Sequence, residues 1–278
     1  MLQAVPGPAP RSRADGRSGG EILRLHFREY GQGAPLVILH GLFGSLDNWT
    51  AVARELAGAF RVLAVDQRNH GHSPHAAAMD YPLMAADLVE FVRRHSPGGA
   101  HVLGHSMGGK TAMQFALQHP GLVRSLVVVD MAPRAGEPEH HSIFDALQAL
   151  DLAAYQSRKQ VEAALAPRIP ELAVRKFLVK SLAHDPAGAW HWRFNLPGLC
   201  RNYAWLNAAV TAEPPCDKPA LFVRGEKSGY LRDDDLPAIR RLFPRAEFRV
   251  VPGAGHWVHA DAPGIFLQAV RRFLVEQI

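Results

Sequence analysis

The sequence predicts an α/β fold: a mostly parallel sheet covered by helices on both faces and interrupted by a long helical insertion. Three observations carry this reading. Short apolar runs alternate with amphipathic helical patterns through residues 21–132. The rhythm stops over residues 133–216, then returns over 217–278. Strand–helix alternation of this kind buries parallel strands on both faces, so each strand reads as a continuous apolar run.

The elements follow in order. ILRLHFREY (22–30) alternates as a strand. APLVILHG (34–41) is an apolar run closed by Gly41, as for a buried strand. LDNWTAVARELAG reads as a helix capped by Ser45 or Asp47. FRVLAVD (60–66) is the next buried strand. A helix over 81–95 carries Pro82 in its first turn, and Met84, Leu88, Phe91 and Val92 share one face. HVLGHS is a strand, SMGGKTAMQFALQHP a helix stopped by Pro120, and VRSLVVVD (123–130) a strand. Residues 133–216 show helical patterns, no strand pattern, and the aromatic-rich AWHWRFNLPGLCRNYAW. PALFVRGE, LPAIRRLF and AEFRVVPG restore strand, helix and strand. The last helix has Phe266, Leu267, Val270, Phe273 and Leu274 in one stripe, with Asp261 as its cap.

Composition narrows the function classes. Of the 278 residues 47% are hydrophobic, enough for a large core. The net charge of +5 is spread out, apart from Arg11, Arg13 and Arg17 near the start, and is not interleaved with aromatics. Solvated surface charge explains it better than a nucleic-acid face. Cys200 and Cys216 form no paired metal spacing or disulfide framework, which fits a reduced, cytoplasmic setting. Residues 1–20 lack the apolar stretch of a secretory signal and are expected to be a disordered tail. No run approaches the roughly 18 apolar residues of a membrane span. The expected assembly is a monomer or homodimer.

Gly104-His105-Ser106-Met107-Gly108 matches G-x-S-x-G between a strand and a helix. That context is the one a nucleophile elbow requires. The turn is too tight for side chains two places either side of the serine, and the helix start aims free N–H groups at it. An incidental serine in a glycine-rich turn is the plainer alternative. A neutral hydroxyl also needs a base, and fifteen histidines are available.

Together with three further motifs, this chain resembles the α/β-hydrolase family over its ordered length. His40-Gly41-Leu42-Phe43-Gly44 resembles the H-G-x-x-G loop after the family's third strand. Asp66-Gln67-Arg68-Asn69-His70-Gly71-His72-Ser73 resembles the D-x-R-x-x-G-x-S loop after its fourth, and Gly255-His256 its late G-H. In the family's count the insertion follows the sixth strand. The resemblance implies Ser106 as nucleophile and His256 as base, with His259 the local rival. It implies an oxyanion hole from the backbone N–H groups of Met107 and Leu42, with Phe43 the fallback. Structural hydrogen bonds are expected of His40 and His105, and a surface or loop-bracing role rather than metal binding of His70 and His72. Asp66 is expected to brace its loop through Arg68 or backbone N–H groups.

The triad acid is less direct. In most of the family it follows the seventh strand, where this chain has Ser228, with Glu226 two residues early and Asp233, Asp234 and Asp235 later. Asp130 ends VRSLVVVD, 24 residues after Ser106. A carboxylate at the carboxyl end of a parallel strand faces the same crevice as the serine. Small bacterial esterases of the family carry their acid there, before a similar D-x-A-P segment. Asp130 is therefore preferred; Glu226 and Asp233 to Asp235 are the alternative, and a buried carboxylate bracing the insertion is the structural reading.

The resemblance implies a serine esterase acting on small acyl esters, with acyl-CoA thioesters as a further class and no metal or cofactor. Phe43, Trp190, Trp192, Phe194 and Trp205 are candidate acyl-pocket residues, although core packing would explain each; Leu196 and Tyr203 belong to the same stretch. Lys110, Arg134 and Arg158 are candidates for a CoA phosphate. Two other functions share the motifs: a cofactor-free perhydrolase, and a ligand-binding receptor that keeps the triad. Ser106 at the elbow argues against a dehalogenase or epoxide hydrolase, where Asp is expected.

Overall fold

The computed structural model describes residues 20–137, 139–210 and 214–278. The expected disordered tail therefore lies, but for Gly20, outside the described residues. Seven strands form the main sheet: β1 (Phe27–Tyr30), β2 (Ala34–Leu39), β3 (Phe60–Val65), β4 (Ala100–His105), β5 (Val123–Val129), β8 (Ala220–Gly225) and β9 (Ala246–Val251). Their order is β1-β3-β2-β4-β5-β8-β9, with β1 antiparallel to β3 and the other pairs parallel. The central strands are the apolar runs of the sequence, buried on both faces.

The first strand is shorter than ILRLHFREY suggests. Backbone donors ahead of Phe27 turn to side chains instead of a neighbouring strand: Leu23 N–H to Asp87 Oδ1 at 2.7 Å and His26 N–H to Ser73 Oγ at 2.8 Å. Five described strands, not six, precede the insertion.

Helices α2 (Tyr81–His95), α3 (Met107–Gln118) and α8 (Leu236–Leu242) lie on one face; α1 (Thr50–Leu56) and α10 (Pro263–Val275) lie on the other. Asp80 caps α2 by accepting from Leu83 N–H, and Met84, Leu88, Phe91 and Val92 are buried. In α10, Phe266, Val270, Phe273 and Leu274 are buried. Two caps differ from expectation. Ser45 precedes a single 3-10 turn (Leu46–Trp49), and Asp47 pairs with Arg28 and Arg193 instead. Asp261 closes the short α9 (Val258–Asp261) and accepts from Gly255 N–H at 2.8 Å, bracing the loop before His256.

Between β5 and β8 the chain forms α4 (His141–Gln148), α5 (Arg158–Leu165), α6 (Leu172–Val179), β6 (Leu182–His184), β7 (Trp190–Trp192) and α7 (Leu196–Leu206). The β6–β7 pair corrects the purely helical expectation. Its strands are three residues long, too short for a period to show. The turn between them is set by Asp185 Oδ1, which accepts from Ala187 and Ala189 N–H, and by Gly188 at φ 85°. This segment has its own apolar cluster, shared with Phe43, Tyr81 and Met107 of the sheet region. It is tied down by Tyr81 Oη donating to Leu206 O (2.6 Å) and Ser181 Oγ donating to Phe43 O (2.8 Å).

Arg68 meets Asp87 rather than Asp66. Its Nε and Nη2 donate to the two carboxylate oxygens at 2.6 and 2.7 Å, and both side chains are fully buried. Removing one partner of such a pair strands the other charge in the interior. Asp87→Ala is therefore expected to cost about 3–5 kcal/mol, measured by urea unfolding; a loss well below 1 kcal/mol would contradict this account of the pair.

Candidate active site

The site sits where the sheet changes direction. From β2 the chain crosses to β3 on one side, then returns to β4 on the other. The loops after β2 and β4 thus diverge at their carboxyl ends, the place where open α/β sheets bind ligands. Four non-glycine residues adopt positive φ in the loops after β2, β3, β4 and β5: Phe43 (61°), Asn69 (64°), Ser106 (54°) and Asp130 (52°). Each such conformation costs on the order of 1–3 kcal/mol. Strain concentrated at one sheet edge points to a site there.

Ser106 is the turn residue between β4 and α3. A Cβ on Gly104 would lie 2.1 Å from Gly108 O, and one on Gly108 would lie 2.5 Å from Leu39 O. Only glycine permits this turn. Gly41 brings the loop after β2 against it: a Cβ there would lie 3.2 Å from Ser106 Cβ. Met107 is the first residue of α3, so its N–H has no acceptor within the helix. In the loop after β2, Phe43 N–H donates to His70 Nε2 at 3.2 Å. The fallback oxyanion donor is thus engaged, and Leu42 is left as that loop's candidate.

Asp130 and His256 are brought together. The His256 Nδ1–Asp130 Oδ2 distance is 2.7 Å, and Asp130 is 0% exposed. The carboxylate also accepts from Gly225 N–H (3.1 Å) and from the Ser228 hydroxyl. An ionised carboxylate only accepts, so His256 carries its proton on Nδ1 and leaves Nε2 as a base. The slot expected to hold an acid after β8 thus holds a serine that bonds to Asp130, just past β5. Three of the other carboxylates are occupied elsewhere, Glu226 with Gly253 N–H, Asp233 with Arg224 and Asp235 with Arg134; Asp234 lies between the last two in the 3-10 turn before α8.

His40 and His105 brace backbone. His105 Nε2 lies 2.9 Å from His256 O and holds the loop of that residue. His259 stacks on Trp49 at 4.2 Å, and burial lowers its pKa to about 3. His40 Nε2 accepts from Gln67 N–H, while His72 is exposed. Asp66 braces its loop by accepting from Leu46 and His72 N–H. Among the described residues no three His, Cys, Asp or Glu side chains converge as metal ligands.

The cavity holding Ser106 has a volume of about 150 Å³. Leu42, Met107 and Met131 give it apolar wall; His140, Tyr203 and Tyr230 give it polar wall. Phe43, Trp190, Trp192, Phe194 and Trp205, expected in an acyl pocket, do not line it. Phe43 packs on Phe144 and Phe194, Trp192 stacks on Phe194, and Trp190 packs on His184. Phe43, Trp192 and Phe194 belong to the buried cluster of the insertion, with Trp190 packed at its edge, while Trp205 is half-buried. Of the related candidates, Leu196 is buried in that cluster and Tyr203 alone reaches the cavity. The phosphate candidates are also engaged. Lys110 Nζ donates to Ala208 O, Arg134 pairs with Asp235, and Arg158 donates to Leu182 O over the Trp190 ring. Sequence reasoning passed over Tyr230, which stacks on His256 at 4.0 Å, and His140. Tyr230 lies two residues beyond Ser228, a usable signal; His140 meets Tyr203 across 63 residues and gives none.

Buried histidines make stability depend on pH. Burial lowers His40 to about 4, His70 to about 3 and His101 to about 4. Their folded pKa values lie below the ordinary 6.5, so the unfolded chain gains protons first as the pH falls. The contribution is present above pH 6.5 and is lost towards pH 4, at roughly 1.4 kcal/mol per pH unit for each ring. The melting temperature is expected to fall steeply across that window; a flat profile would contradict it.

The pattern of the family described as alpha/beta hydrolase fold matches residues 34–263. Esterase YbfF of Escherichia coli is 38% identical over 242 residues, 87% of this chain and 93% of that protein. The sn-1-specific diacylglycerol lipase ABHD11 of Mus musculus is 37% identical over 284 residues, 98% of this chain and 92% of that protein. The solved structure of a marine microorganism esterase superposes with a TM-score of 0.88 at 42% identity, over 90% of this chain and 99% of that one. Among the described residues no helix is long and apolar enough to cross a membrane.

Proposed function

The chain belongs to the α/β-hydrolase family, and from that premise we propose that it cleaves carboxylic esters through an acyl-enzyme on Ser106. Its similarity to proteins named as esterases and a lipase supports ester hydrolysis. The observation that carries the finer reading is the Asp130–His256 pair, its carboxylate fully buried, at the same sheet edge as the strained Ser106.

The chemistry follows from these groups. His256 Nε2 takes the Ser106 proton as Oγ attacks the ester carbonyl. Asp130, buried and accepting from Nδ1–H, fixes the tautomer and stabilises the imidazolium that forms. Met107 and Leu42 N–H would hold the oxyanion, each such donor being worth on the order of 3 kcal/mol. His256 protonates the leaving alcohol. Water then attacks the acyl-enzyme by the same sequence and releases the acid.

The cavity sizes the substrate. About 150 Å³ is the volume of a dry protein cavity known to hold one benzene ring. In a series of nitrophenyl esters, turnover is expected to be highest for short acyl chains and to decline as the chain outgrows the cavity. Matching acyl-CoA thioesters belong in the same series. Their turnover would require phosphate contacts other than the engaged Lys110, Arg134 and Arg158. A steady rise with chain length would contradict the short-acyl reading; no turnover of any ester by folded protein would contradict the esterase reading.

A further inference from the structure

His140, just before α4, and Tyr203, on α7, both line the cavity that holds Ser106. The backbone N–H of His140 donates to the Tyr203 phenol oxygen at 2.9 Å. Tyr203 is buried, so its phenol proton needs an acceptor. The acceptor within reach is His140 Nδ1, 2.9 Å away. The neutral imidazole must then carry its own proton on Nε2. Burial, with His256 nearby as the next cause, lowers the His140 pKa to about 4, so the ring is neutral near pH 7. The result is a histidine of fixed tautomer whose outer nitrogen only donates.

We propose that His140 is a substrate-binding hydrogen-bond donor, and that this site prefers esters carrying an acceptor oxygen beyond the scissile group. The inference rests on the esterase reading above. A donor on a partly apolar wall is left unpaired by a plain alkyl ester and is satisfied by an ether, hydroxyl or keto oxygen. Sites built around such a donor discriminate against analogues that lack the acceptor.

The test uses two pairs of near-isosteric esters, each differing by one CH2 replaced by oxygen. Nitrophenyl butyrate against nitrophenyl methoxyacetate probes the acyl side. Butyl acetate against 2-methoxyethyl acetate probes the alcohol side. Each kcat/KM is divided by the rate of hydroxide hydrolysis of the same ester, which removes intrinsic reactivity. The wild type is expected to favour the oxygenated member of at least one pair by about tenfold. His140→Phe should abolish that preference, and His140→Gln, whose amide still donates, should keep part of it. The ratio within a pair does not depend on how much enzyme is folded, so a poorly folding variant cannot imitate the result. Equal ratios in wild type and His140→Phe, with all four esters hydrolysed, would overturn this inference alone. Hydrolysis of none of the four by folded wild type would overturn the esterase reading and this inference with it.

Discussion

Asp130→Asn is expected to lower kcat on a nitrophenyl ester by about 10⁴-fold while the protein stays folded. Three donors converge on this fully buried carboxylate: Gly225 N–H, the Ser228 hydroxyl and His256 Nδ1. Asparagine brings an NH2 group of its own into this set. One donor must turn away, and the His256 ring loses the partner that holds its proton on Nδ1. The base is then presented in the wrong tautomer. Glu226→Gln and Asp233→Asn are expected to leave turnover near wild type, because those carboxylates bond to Gly253 and Arg224 at a distance from the ring. Near-normal turnover in Asp130→Asn, with a large loss in one of the other two, would move the acid to the loop after β8.

Ser106→Ala is expected to have the larger effect, about 10⁶-fold in kcat. In the proposed mechanism the hydroxyl oxygen forms the new bond, and alanine offers nothing in its place. What remains is the contribution of the oxyanion donors and of binding, which still exceeds the rate in water. The substitution should not weaken the fold. Alanine, like serine, keeps a single Cβ at this positive φ, so the strain of the turn is unchanged. Steady-state kinetics with a melting curve on the same sample checks both halves, and a loss of only a few-fold would contradict the assignment.

Much of the sheet was legible because its central strands are buried on both faces and must be continuous apolar runs. LVIL in β2 and LVVV in β5 carry little else. The elbow was legible for a different reason. Gly104 and Gly108 face backbone at distances that no Cβ tolerates, so that steric demand is written directly into the residue types. The acid was harder to read. Several carboxylates were within sequence reach, and β5, not the β8 loop, presents the one that meets His256. A choice of that kind depends on which strand neighbours which, and residue order does not state it.

The insertion was least legible. Its aromatics are dense in the sequence, and density alone cannot separate a pocket from a core. Trp192 and Phe194 fill the interior, while the cavity wall is made by His140 and Tyr203, 63 residues apart. Hydrogen-bond competition decides two choices that the sequence leaves open. Phe43 N–H is taken by His70, which leaves Leu42, and Arg68 turns to Asp87 in the buried face of α2, which leaves Asp66 to backbone N–H groups. Each outcome depends on a partner supplied by another element.

The most direct test of the central claim is to quench the enzyme within its first turnovers of nitrophenyl acetate and measure the mass of the intact protein and its peptides. An acyl-enzyme on Ser106 predicts a burst of nitrophenol equal to the enzyme concentration. It also predicts the mass of one acetyl group on the peptide containing Ser106, absent in Ser106→Ala. A burst with the acetyl group on another residue, or turnover that persists in Ser106→Ala, would contradict it.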